Sequence, residues 1–229
     1  MFDAGLLRLL QLTDSTLPIG AYAHSSGLET YVQMKIVKDL HTVRQFVTAM
    51  LTYSIQYTDA AFVSFSYDTA SENDWSRIMT LDEECTAVKL PEEIRQASQK
   101  LGMRLLKLFV PVLTDMLMRN YLEGIQAGIV KGHYSIAFGA CAFALGIDKQ
   151  VALTGFYFNA ASALITNCVK MVPLGQQAGQ ELLFSLQPLI EQLVTQSMHP
   201  DASMVGLSCP GFDMRSMQHE QLYSRFYMS

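Results

Sequence analysis

Gln150 to Val169 is a run of twenty residues without a charged side chain, long enough to cross the hydrocarbon core of a bilayer. Thr154, Asn159, Ser162, Thr166 and Asn167 interrupt it, and it lacks the leucine density of a lipid-facing span. A membrane reading is therefore set aside in favour of a helix buried on most sides within protein. The run lies inside a wider desert, residues 132–200, whose only charges are Asp148, Lys149, Lys170, Glu181 and Glu191. Small residues recur on both sides of Gly146: Ala137, Gly139, Ala140, Ala142 and Ala144 before it, Ala152, Gly155, Ala160, Ala161, Ser162 and Ala163 after it. They let helix axes approach closely, while Phe138, Phe143, Phe156 and Phe158 fill the remaining holes. The pattern predicts a central helical hairpin. With so few charges to solubilise an outer face, part of that surface is expected to meet a second copy or a partner.

A hydrophobic content of 50% with a net charge of −5 excludes a disordered chain. A pI near 5.5 with no Lys/Arg cluster excludes a nucleic-acid binder by bulk electrostatics. Cys85, Cys141, Cys168 and Cys209 form no C-x-x-C pair, so neither structural zinc nor a redox motif is indicated, and Cys141 and Cys168 read as buried apolar residues. Near the start, Asp3 and Arg8 flank only a short leucine run. That is no cleavable signal, and a cytoplasmic chain with reduced thiols is expected.

Helical periodicity dominates, with no sustained alternation that would argue for a sheet. Ala4 to Leu12 carries a leucine cluster, Asp14 to Pro18 interrupts it, and a helix opens near Ser25 and Ser26. From Asp39, a good N-cap, the stripe Val43, Phe46, Val47, Met50, Leu51, Ser54, Tyr57, Ala61 and Phe65 predicts one long core helix. Trp75 to Glu84 resumes the pattern, and Glu92 starts a helix just after Pro91, ended or kinked by Pro111. Leu182, Leu183, Leu186, Leu189 and Leu193 keep helical spacing around a kink at Pro188. Pro200, Pro210 and Gly211 are expected to break any helix thereafter. The reading is all-α: a single helical-bundle-like domain of roughly eight to ten helices over residues 1–198, followed by a C-terminal partner-binding tail, 199–229.

No P-loop, nucleophile elbow or H-E-x-x-H zinc motif is present. No two of His24, His41, His133, His199 and His219 stand four apart, so a metal site would need tertiary convergence. A small helical metal-dependent hydrolase on His24, His133 or His219 is the enzyme alternative, and a binder of apolar ligands in the central hairpin a weaker one. The thirteen methionines are scattered and read as core filler. Two segments stand out. Leu17 to Glu29 puts Pro18 and Gly20 in a turn, then His24, Ser25 and Gly27 before a helix, then Glu29 in its first turn. Pro210 to Ser229 gathers Arg215, His219, Glu220, Tyr223, Arg225, Phe226 and Tyr227, and of these types Tyr and Arg are enriched in binding hot spots.

At these segments the chain resembles the urease accessory protein UreF family. The resemblance rests on R-L-L-Q-L-T-D-S-T-L-P-I-G-A-Y-A-H-S-S-G-L-E, G-H-Y-S-I-A-F-G-A-C-A-F-A-L-G, N-C-V-K-M-V-P-L-G-Q and D-M-R-S-M-Q-H-E-Q-L-Y-S-R-F-Y-M-S, in the family's order. Residues 68–125 carry no such signature, and Ala23 stands where serine or tryptophan is common. The resemblance implies an all-helical, dimeric, non-enzymatic protein that helps insert nickel into apo-urease. It would bind UreD (UreH in some systems) and recruit the GTPase UreG, with nickel held by partner proteins and no cofactor of its own. Pro18, Gly20, His24, Ser25, Gly27, Glu29, Arg215, His219, Glu220, Tyr223 and Arg225 are the partner-binding residues so implied. The tail would order when UreD binds.

Overall fold

The computed structural model describes residues 4–20 and 27–219, and among these the regular structure is helical throughout. In chain order the elements are α1 (Ala4–Leu12), α2 (Leu28–Gln33), α3 (Leu40–Ala49), a π-helical stretch (Met50–Ala60), α4 (Ala61–Glu72), α5 (Trp75–Val88) and α6 (Glu92–Phe109). They continue with α7 (Met116–Gln126), α8 (Tyr134–Ala144), α9 (Lys149–Met171), α10 (Gln176–Ser185), α11 (Gln187–Ser197) and α12 (Pro210–His219). Among the described residues no helix is long and apolar enough to cross a membrane.

Aspartates start many of these helices. Asp39 accepts from the Thr42 amide at 2.9 Å while Thr42 Oγ1 accepts from the Asp39 amide, a reciprocal cap on α3. Asp74, Asp115 and Asp148 cap α5, α7 and α9 with the carboxylate alone, which accepts from amides of the first turn. Each such cap contributes about 1 kcal/mol. Prolines set other boundaries. Pro111 sits in the 3₁₀ turn that closes α6, and Pro188 opens α11, so the predicted kink divides two helices. Pro210 also begins a helix rather than breaking one, because a proline in the first turn forfeits no intrahelical hydrogen bond.

The long core helix predicted from Asp39 is continuous, but its middle is π-helical. That winding adds about one residue per turn and rotates the buried face. Gln56 and Thr58 therefore turn inward, while Ser54 and Tyr57 are half-buried.

The central helix is α8. Its contacts are chiefly with α4 and α6, whereas α9 packs on α10, α11 and the π-helical stretch, so the predicted α8–α9 hairpin is not the main packing unit. Small residues make the approach possible. A Cβ on Gly139 would overlap Ser66 and the Val63 carbonyl of α4, and one on Gly102 would overlap the backbone of residues 132–134. Phe62, Phe138, Leu105, Leu106, Tyr121 and Tyr157 are fully buried around this contact, each stabilising the fold by about 2–3 kcal/mol through apolar burial. On the far side, α1 crosses α9 where Leu9 and Thr13 fill the space above Gly155. Leu6, Leu7 and Leu10 of α1, Val151 and Phe158 of α9, and Phe184 of α10 remain exposed, Phe184 at 72%.

Candidate partner-docking site

The loop after α1 is held by its own polar groups. Asp14 Oδ1 accepts from both the amide and the hydroxyl of Thr16 at 2.7 Å, a local turn that leaves Pro18 exposed and Ile19 buried. Arg104 of α6 donates to the Ile19 carbonyl at 2.8 Å. Gly20 has a φ of 82°, and a Cβ there would strike the Arg104 guanidinium. Glycine is therefore favoured at this corner by conformation, since the guanidinium ends a flexible side chain that can shift.

Gly27, at φ 79°, starts α2 directly under α12: its missing Cβ leaves room for Ser216 Oγ. Thr30 Oγ1 donates to the Arg215 carbonyl at 3.1 Å. Phe212, 5% exposed, lines a pocket together with Tyr31, Val37, Phe46 and Met50, and Tyr31 leans on Phe46 with ring centroids 5.3 Å apart. Glu29 is buried in the first turn of α2, and the Arg215 side chain donates to Gln218 at 2.7 Å. The two segments that stand out in the sequence thus lie against each other.

Beneath this junction is a cleft of about 220 Å³ with largely apolar walls, including Ile55, Ile94, Leu101 and Leu164. At its edge Lys89 Nζ donates to Asp59 Oδ1 at 2.7 Å. Burial opposes the lysine charge, but the Asp59 carboxylate, together with Cys85 and Asp213, offsets it and raises the Lys89 pKa above the ordinary lysine value. Asp59 projects from the π-helical stretch, which brings it to this position.

A second polar cluster fixes the entry to α8. The buried Asp82 carboxylate accepts from Tyr121 Oη at 2.6 Å and from the successive amides of Lys131, Gly132 and His133 at 2.5, 2.8 and 3.2 Å. Burial and then Asp82 push the Tyr121 phenol well above its usual pKa. His133 is fully buried, with Thr86 Oγ1 2.8 Å from Nε2 and Ser98 Oγ 3.2 Å from Nδ1. The Thr86 hydroxyl already donates to the Asp82 carbonyl, so its oxygen accepts from Nε2–H, and Ser98 donates to Nδ1. Both ring nitrogens are engaged. Burial lowers the His133 pKa to about 4, with the Asp82 charge opposing that shift.

This disposes of His133 as a metal or catalytic histidine, and the hydrolase alternative loses one of its three histidines. Among the described residues no group of three His, Cys, Asp or Glu side chains is arranged to hold a metal. Of the other predicted site residues, His24, Ser25, Glu220, Tyr223 and Arg225 lie outside the described residues, and His219 ends α12 with its side chain outside them. The sequence reading missed Asp59, Lys89, Arg104, Phe212 and Ser216. Helical spacing does put Ile78, Leu81, Asp82 and Cys85 on one face of α5, a signal that could have shown Asp82 to be buried.

Comparison with known proteins adds a direction. The family model described as UreF matches residues 37–187. The urease accessory protein UreF of Actinobacillus pleuropneumoniae serotype 5b (strain L20) is 41% identical over 221 residues, covering 96% of this chain and 97% of that protein. Its counterpart in Haemophilus influenzae (strain PittEE) is 42% identical, with 96% and 94% covered. That of Bacillus sp. (strain TB-90) is 32% identical, with 98% and 99% covered.

Proposed function

We propose, since the chain belongs to the UreF family of urease accessory proteins, that it is a scaffold for nickel insertion into apo-urease. The family is one of accessory proteins rather than enzymes. In this reading the chain works in the cytoplasm, binds UreD (UreH) and recruits the GTPase UreG, while the nickel is carried by those partners. The UreD-binding surface is the α2–α12 junction extended by residues 220–229. The exposed apolar face of α1, α9 and α10 receives a second copy of the chain.

The observation that carries the proposal is the meeting of Gly27 and Thr30 with Ser216 and Arg215, which turns two distant motifs into one continuous surface. A scaffold needs such area more than it needs a nucleophile, and the aromatic and arginine residues of the second motif are of the types that form hot spots. Co-elution with UreD tests it. Tyr223→Ala and Arg225→Ala are expected to lose the UreD complex, and urease activation with it, while keeping the wild-type melting temperature. Retention of the complex by both variants would refute the assignment.

A further inference from the structure

Residues 94–114 contain Arg95, Lys100, Arg104 and Lys107 and no Asp or Glu. The cations are dispersed along the sequence, but helix geometry aligns three of them. Spacings of four and three residues keep Lys100, Arg104 and Lys107 on one face of α6, over about 10 Å. All three are exposed. Among the described residues none of them forms an ion pair, and Arg104 spends one nitrogen on the neutral Ile19 carbonyl. The opposite face buries Leu105, Leu106 and Phe109, so the stripe is fixed outward. Just beyond it Leu108, Val112 and Met116 are exposed at 37, 73 and 61%. In a chain of net charge −5 this is a local reversal of sign.

We propose that this face docks an acidic segment of a protein partner, with carboxylates along Lys100, Arg104 and Lys107 and apolar side chains over Leu108, Val112 and Met116. Charge complementarity selects the occupant: a stripe of one sign steers and registers a partner of the other. Exposed apolar side chains beside it supply what the dry centre of a protein interface requires. A nucleic acid fits less well, because so short a stripe neutralises few phosphates and the rest of the chain repels them. The proposal goes beyond the UreF reading, which rests on the α2–α12 junction, although Arg104 also braces the Gly20 corner of the docking site.

Fluorescence anisotropy on the full chain tests it, with a labelled Glu-Ala-Leu-Glu repeat peptide as the acidic probe and a labelled oligothymidylate of similar length as the alternative. The peptide is expected to bind saturably and more weakly as salt rises. Lys100→Glu with Lys107→Glu should weaken it about tenfold, and the milder Lys100→Gln with Lys107→Gln about threefold. Lys35→Glu with Lys38→Glu, exposed elsewhere, should change it by less than about twofold. The proposal is overturned if the wild type does not bind the peptide, if the control pair loses as much affinity, or if the oligonucleotide binds more tightly.

Discussion

The imidazole of His133 is kept neutral by its surroundings, and that has a consequence in acid. Its folded pKa of about 4 lies below the unfolded value of roughly 6.5, so between those limits the unfolded chain binds the extra proton. Stability from this residue is therefore complete above about pH 6.5 and falls as pH drops toward 4, by at most about 1.4 kcal/mol per pH unit. Denaturant midpoints of the wild type at pH 7 and pH 5 should show this slope, and His133→Gln, less stable at pH 7, should flatten it. An unchanged slope in the variant would mean that other groups carry the acid sensitivity. The sequence made the burial of Asp82 legible through its neighbours on α5. It did not reveal that the carboxylate's partners lie 39 to 51 residues further along, because only tertiary packing joins them.

At the scale of elements, what was readable depended on whether the signal is local. The Asp39 cap, the Glu92 start and the break at Pro111 need only neighbouring residues, and each stands where the sequence put it. The small residues of α8 announced a close approach but not the partner, since Gly and Ala admit any helix; α4 and α6 take the place expected of α9. The π-helical winding of Met50–Ala60 leaves no mark in residue type, and α12 was masked by a proline that reads equally as a stop or a start. Because Gly139 lies directly on α4, Gly139→Val should cost about 3 kcal/mol through overpacking. A lower denaturant midpoint at constant m-value would report that loss, and a midpoint equal to wild type would show that α4 and α8 separate freely.

The whole molecule keeps its charge desert partly inside and partly out. Most of α8 is buried, yet Val151, Phe158 and Phe184 face solvent, as do Leu6, Leu7 and Leu10 of α1, and clustered apolar exposure of this kind marks interaction surfaces. If a second copy covers this face, Phe158→Glu with Phe184→Glu should halve the mass seen in sedimentation at micromolar concentration and leave the helical spectrum intact. A wild type that sediments as a monomer would refute the proposed homodimer. The motif residues of the docking site were legible as residues, but the junction they form was not, because Gly27 and Ser216 meet only after the core helices have closed the distance between them.

The Asp82 carboxylate also bears on the order of assembly. Bringing α5 to the start of α8 closes a loop of some fifty residues, at an entropic cost of about 3–4 kcal/mol, and the reward comes at once, when three amides and a phenol reach the same side chain. Half-closed arrangements pay the cost without the reward, so α5, α7 and α8 form, and dissolve, as a single cooperative unit.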